Sequence, residues 1–226
     1  MSGVHRHFHD ELNDLKVRLL TMSGEAEAAL GHAVDALLRR DPVQAAEVIV
    51  GDEALDAMEN EIEERCIQLL ALQQPVARDL RLLTAALKIA SDLERVGDHA
   101  VNIAQSVERL AQGGPITPEP ELIEMARQAR EMLADALESF VREDAAAGRA
   151  LRLRDERVDA LHHTIFGALV RSMTADPQGI TTGMELFLVS RNLERVADLA
   201  TNIGEDVVFI VEGKSIRHGA GEVVSG

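Results

Sequence analysis

An eight-residue string recurs in this chain at a spacing of 100 residues: Asp-Leu-Glu-Arg-Val-Gly-Asp-His at 92–99 and Asn-Leu-Glu-Arg-Val-Ala-Asp-Leu at 192–199. The chain is therefore read as two copies of one unit. Each copy places a glutamate and an aspartate four apart, Glu94 with Asp98 and Glu194 with Asp198, followed after four more residues by Asn102 and Asn202. On a helix the three side chains of each set stack on one face. Like charges at that spacing destabilise a helix by about 0.2–0.5 kcal/mol per pair, so keeping the arrangement twice suggests a compensating cation. Oxygen ligands from successive helix turns suit a hard metal ion.

The spacing of breaks gives the fold class. Asp41-Pro42, Gln74-Pro75, Gly113-Gly114-Pro115, Pro118, Pro120, Asp144 and Asp176-Pro177 interrupt long helical stretches. Six helices are predicted, over 7–39, 42–72 and 76–111 in the first half and 121–142, 145–174 and 179–211 in the second. Met22 matches Met125, Asp41 matches Asp144, and Asp52, Glu53 and Asp56 match Asp155, Glu156 and Asp159, all at an offset of 103. A three-residue shortening near Pro177 resets the offset to 100, in a loop where length changes are tolerated. The expectation is an all-α protein of two tandem, pseudo-symmetric three-helix bundles. These are 1–112 and 121–213, with a linker at 113–120, a tail at 214–226 and two compact cores.

In the third helix of each half, apolar residues recur at alternating steps of four and three, as in a bundle seam. The first seam is Leu82, Ala86, Ile89, Leu93, Val96, Ala100, Ile103, Val107 and Leu110. The second is Val189, Leu193, Val196, Ala200, Ile203, Val207 and Ile210. Glu94, Asp98 and Asn102 fall opposite the first seam's centre and are expected to be accessible. The core is aliphatic: 46% of residues are hydrophobic, yet there is no Trp or Tyr and there are five Phe. Phe187 and Leu188 lie off the main seam, where a homodimer contact is expected.

Charge and cysteine usage exclude partner classes. The formal net charge of −16 provides no basic excess to displace counterions from nucleic acid or anionic lipid, so neither is expected as a direct partner. Cys66 is the single cysteine; it sits at helical spacing from Ile62, Leu69 and Leu70 and reads as a buried thiol of a reducing compartment. The N-terminal residues lack the apolar run of a signal peptide and no stretch has the length of a membrane span, which predicts a cytoplasmic location without membrane insertion.

Two roles remain open for the acids. Glu94/Asp98 and Glu194/Asp198, with Arg95 and Arg195 beside them, are either a solvated acidic face or, as their duplication favours, metal sites. Asp52 and Asp56, and likewise Asp155 and Asp159, share a helix face and would complete the shells if the second and third helices are neighbours. His99, His162 and His163 are candidate imidazole ligands that would favour Zn or Fe, although Leu199, Glu59 and Asn60 stand at the corresponding positions. None of the eight histidines has a glutamate three residues before it, against a di-iron oxidase. There is no Gly-rich phosphate loop, Gly-x-Ser-x-Gly or Cys-based zinc spacing, so no nucleophile is indicated. A carboxylate-based phosphohydrolase and a metal-free acidic scaffold remain as alternatives.

The run Gln-Pro-Val-Ala-Arg-Asp-Leu-Arg at 74–81, the two repeated strings within 89–103 and 192–203, and the closing Val-Glu-Gly-Lys at 211–214 resemble the PhoU family of phosphate-transport regulators. That resemblance covers essentially the whole chain. It implies multinuclear metal clusters of Fe, Zn, Mn or Mg held by Glu94 and Asp98 in one bundle and Glu194 and Asp198 in the other. It further implies a non-enzymatic role that damps phosphate uptake and represses the starvation response. The implied partners are the ATPase subunit of a phosphate ABC transporter and a sensor histidine kinase. Ala197 and Leu199, where the family often has Gly and His, together with Asn192 opposite Asp92, predict that the second site binds metal differently or more weakly.

Overall fold

The computed structural model describes residues 2–73, 75–113 and 119–216. Most of the expected linker, 114–118, and the tail from 217 onward lie outside the described residues. The order of elements is α1 (Ser2–Arg39), α2 (Pro42–Gly51), α3 (Glu53–Gln73), α4 (Ala77–Ala111), α5 (Pro120–Arg142), α6 (Ala145–Ala175), a 3-10 turn (Pro177–Gly179) and α7 (Ile180–Glu212). The architecture is all-α, six long helices of which the second is interrupted at Asp52.

The turn after the first helix of each half is built twice from the same chemistry. Arg40 and Glu143 take left-handed φ values of 55° and 53°. The next residue, Asp41 or Asp144, returns its N–H to Ala36 or Ser139 at 2.9 Å, closing the helix that ends. Its carboxylate then caps the helix that begins, accepting from Val43 and Gln44 in one half and from Ala146 and Ala147 in the other.

The expected single helix over 42–72 is two helices, whereas its counterpart α6 runs unbroken. Gly51 precedes the break and Arg154 stands in its place in α6. Glycine weakens a helix interior, while Arg154 is tied to Asp135 and Glu131 of α5. The interruption therefore belongs to one half only.

α4 and α7 form the centre and run antiparallel. Arg81 Nε donates to the Ile210 carbonyl, Lys88 pairs with Asp206, His99 meets Asn192 and Arg109 meets Glu185, so partner numbers fall as residue numbers rise. All of the expected seam is buried except Leu110, which is partly so. A second stripe is buried too, repeating every seven residues: Leu83, Ala90, Gly97 and Ala104 in α4, and Gly183, Ser190, Ala197 and Gly204 in α7. With two buried faces per central helix, apolar residues of both halves join in one continuous cluster. The expectation of two separate cores is corrected on this point: a helix buried on two sides joins the bundles instead of lining one of them.

The second stripe is where helices approach closely. A Cβ on Gly148 of α6 would lie 2.5 Å from the Gly204 carbonyl oxygen, and one on Gly204 2.7 Å from that of Gly148. The corresponding residues of the first half are Ala45 and Ala104, both fully buried. Cys66 is buried as expected, and burial, with Glu63 nearby, pushes its thiol pKa up to about 12. Phe187 packs within the molecule, its ring 5.7 Å from that of His162 and 5.5 Å from that of Phe166. Among the described residues no helix is long and apolar enough to cross a membrane.

Candidate metal centres

The small-residue stripe draws the second helix of each half against α4 or α7. A Cβ on Gly97 would lie 2.5 Å from Leu55 Cδ1 and 3.4 Å from Asp52 Oδ1. The missing side chain thus lets the α2–α3 junction settle onto α4 beside Asp98. In the second half Ala197 replaces Gly97, and Val158 stands 103 positions after Leu55, both fully buried. One side chain has gained a methyl and the other has lost a methylene. The Gly-to-Ala departure at 197 is therefore matched by a smaller residue at 158, a compensation of volume.

Each half brings acids of its second and third helices near one another. In the first, Asp52, Asp56, Glu94 and Asp98 lie within mutual electrostatic reach, and Glu59 joins them. Burial, then repulsion from Asp98, Glu59, Asp56 and Asp52, pushes the Glu94 pKa up to about 7. Asp52 is raised by burial and by Asp98 and Asp56. In the second half, burial and then Asp198, Asp159, Glu194 and Glu156 push Asp155 up to about 7. Asp198 is also raised by burial, against the opposing pull of Arg195. Asp98 and Asn102 are exposed as expected; Glu94 is half-covered, as are Glu194, Asp198 and Asn202. The cover comes from the neighbouring helix, which the periodicity of one helix does not report. The side chains of Asn102 and Asn202 follow the acids on the same helix face, and no hydrogen bond ties either to the cluster.

The histidines separate into distinct roles. His99 Nδ1 meets Asn192 Oδ1 at 2.9 Å, bridging α4 and α7 between the two clusters. His163 Nδ1 turns back to its own helix at the Asp159 carbonyl, 2.8 Å away. His162 Nδ1 lies 3.1 Å from Ser190 Oγ, whose proton goes to the Phe187 carbonyl. Ser190 must then accept from His162 Nδ1, and burial favours the neutral ring, which leaves Nε2 as a lone-pair donor. His162 stands where the first half has Glu59, and Glu194 is its foremost charged neighbour.

As they stand, no three His, Cys, Asp or Glu side chains among the described residues are arranged to hold one ion. The donor set nonetheless fits a cation. Asp155 Oδ1 is buried without a hydrogen-bond partner, and crowded carboxylates whose protons are held to about 7 are groups that a divalent ion would relieve. Sequence reasoning missed Glu59 as a cluster member, although its equivalence to His162 was visible. It also gave no role to the arginines of the 74–81 motif. Arg81 donates to the last turn of α7, and Arg78 pairs with Glu143 at the end of α5. These two clamp helix C-termini, where cations are favoured.

Fold and sites define a tandem-repeat helical protein with a carboxylate cluster between the second and third helices of each repeat. Residues 19–107 and 122–207 each match the PhoU domain. The chain belongs to the PhoU family. A Pseudomonas putida protein named as a phosphate-specific transport system accessory protein PhoU homolog is 36% identical over 217 residues, 95% of this chain and 84% of that protein. One of the same name from Aquifex aeolicus is 36% identical over 208 residues, 92% of this chain and 94% of its own length. The crystal structure of PhoU from Pseudomonas aeruginosa superposes with a TM-score of 0.88 at 35% identity, covering 92% of this chain and all of that one. The phosphate transport system regulatory protein PhoU from Streptococcus pneumoniae gives a TM-score of 0.85 at 30% identity, with 92% of this chain and 98% of that one covered.

Proposed function

We propose that this protein is a negative regulator of phosphate uptake and of the phosphate-starvation response, a cytoplasmic adaptor between the ATPase subunit of a phosphate ABC transporter and a sensor histidine kinase. The observation that carries this reading is the match over more than nine-tenths of the chain to proteins named as accessory or regulatory components of phosphate transport. The absence of any nucleophile motif supports a binding role over catalysis.

The adaptor surface is metal-dependent in this reading. Asp52, Asp56, Glu94 and Asp98 hold cations in one half, and Asp155, Asp159, Glu194 and Asp198 do so in the other, with Asn102 and Asn202 as neutral oxygen donors. Fe, Zn, Mn and Mg all accept such oxygens. A bound cation supplies positive charge that neutralises the carboxylates and bridges to acidic groups of a partner. The chain's own part is geometric: α2–α3 and α6 are pressed onto α4 and α7 by the small-residue stripe, which sets the acids of paired helices facing one another. Phe166, Ile180 and Met184 remain exposed beside Phe187 and offer the apolar surface for a second copy of the chain.

The test compares wild type with the variant Glu94→Ala, Asp98→Ala, Glu194→Ala, Asp198→Ala in cells that lack the protein. Wild type restores repression of uptake and of a starvation reporter in high phosphate; the variant stays helical, loses bound metal on elemental analysis and fails to repress. Full repression by a metal-free variant would remove the metal from the mechanism, and metal-dependent turnover of phosphate esters would replace the adaptor with an enzyme.

A further inference from the structure

The same arginine follows the glutamate in both repeats, yet the two behave differently. Arg195 lies on its cluster, Nη1 3.0 Å from Asp198 Oδ2 and Nε 3.6 Å from Glu194 Oε2. Arg95 turns back toward Asp92, its Nη1 3.8 Å from Asp92 Oδ1, and its charge also reaches Asp198 of the second cluster. Among the described residues no lysine or arginine reaches ion-pair distance of Glu94 or Asp98. The cause lies three residues upstream. Asp92 carries a charge that draws Arg95 back. Asn192 carries none, and both ends of its amide are committed: Oδ1 to His99 at 2.9 Å and Nδ2 to the Leu188 carbonyl at 2.8 Å. Nothing holds Arg195 back, and it turns forward.

The ligand positions differ in the same sense. The first cluster has five carboxylates, Asp52, Asp56, Glu59, Glu94 and Asp98. At the corresponding positions the second has four, with His162 in place of Glu59, while Glu156 adds a carboxylate beside Asp155; Arg195 already neutralises part of this charge. A hard cation entering the first cluster meets only carboxylates; one entering the second must first displace a guanidinium.

We propose that Arg195 is a displaceable internal counter-cation, released forward by the neutral Asn192, which makes the second cluster fill only after the first. This rests on the metal reading above. Loading the second cluster frees Arg195 from Asp198 and Glu194 and offers its five N–H donors to an acidic group. The chain then presents a cation-bridging face in one half and, on full loading, a guanidinium in the other.

Mn2+ titration of the full chain, followed by water-proton relaxation, tests this. Wild type shows two classes of site. Glu94→Gln with Asp98→Asn abolishes the tighter class, and Glu194→Gln with Asp198→Asn abolishes the weaker. Arg195→Gln, at an exposed position that leaves the core intact, tightens the weaker class by about two- to fivefold, the scale of one exposed ion pair. Asp92→Asn, which releases Arg95, weakens the tighter class by a similar factor. An unchanged weaker class in Arg195→Gln, or a tighter class that maps to Glu194 and Asp198, overturns the proposal while leaving the metal reading intact. No Mn2+ bound by wild type in either class overturns both.

Discussion

Replacing Gly204 with alanine should destabilise the protein, although the same replacement stabilises an ordinary helix. The new methyl would lie 2.7 Å from the Gly148 carbonyl oxygen, 3.2 Å from its carbonyl carbon and 2.6 Å from Leu151 Cδ1. Carbon atoms rest at about 3.5–4.0 Å from their neighbours, so α6 and α7 must separate by several tenths of an ångström. Leu151 can rotate its methyl away; the Gly148 backbone cannot. Overpacking of this kind costs about 1–3 kcal/mol, and a rigid backbone obstacle places it in the upper part of that range. The gain from alanine in a helix offsets about 1 kcal/mol, leaving a net loss of about 1–2 kcal/mol. For a chain of this length each kcal/mol moves Tm by about 2–4 °C, so a fall of about 2–8 °C is expected in a calorimetric melt. Gly24 provides the control. It also lies within a helix, with nothing inside 4 Å of its Cβ position, so Gly24→Ala should raise Tm by about 2–4 °C. If both variants rise together, the close crossing of α6 and α7 is not a feature of the folded protein.

The pairing of Gly97 with Leu55, and of Ala197 with Val158, makes a coupling testable by urea denaturation. Gly97→Ala alone drives a methyl to 2.5 Å from Leu55 Cδ1 and Leu55→Val alone leaves a void, whereas the double variant recreates the second-half pair. It should be more stable than the sum of the singles by about 0.5–3 kcal/mol, and strict additivity would sink the compensation argument. The raised carboxyls predict a pH dependence whose sign is fixed. Glu94 and Asp155 titrate at about 7 in the folded chain, against ordinary values of 4.5 and 3.8, so between those limits the folded state binds more protons than the unfolded. Their contribution to stability is thus greatest at low pH and falls as pH rises through about 7. A cation must displace the same protons, so Mn2+ affinity should rise from about pH 6 to about pH 8 with proton release, measured by titration calorimetry in buffers of different ionisation heat. Equal affinities at the two pH values would show that the protonated carboxyls are not the ligands.

Most helix positions, the seam of each central helix and the shared face of each acid pair were legible in the sequence because each is local or duplicated, whereas Glu59, Glu156 and the break at Asp52 were not. Asp41 and Asp144 cap helices through their own next residues, and an offset of 103 makes the two readings check one another. What escaped depends on what lies across an interface. The period-seven stripe of Gly97, Ala104, Gly183, Ala197 and Gly204 was present in the string, but small residues carry little apolar signal, and only a close helix crossing gives them meaning. The merging of two expected cores into one follows from that stripe. Likewise Arg95 and Arg195 occupy identical places in the repeat, and their opposite orientations depend on residue 92 against residue 192, a contrast that the sequence displayed without its consequence. Phe187 illustrates the converse: the sequence placed it off the seam, and the contacts it makes with the rings of His162 and Phe166 depend on a neighbouring helix.

The antiparallel crossing of α4 and α7 relates the halves much as a twofold axis relates the subunits of a dimer. In a symmetric pair of separate chains every substitution is written twice, so a change useful to one face is imposed on the other. Joining the two repeats in one polypeptide lifts that constraint. Asn192 can differ from Asp92, His162 from Glu59, and Ala197 with Val158 from Gly97 with Leu55, each copy changing independently of the other. Covalent continuity thus turns a symmetric scaffold into one whose two faces can carry different chemistry.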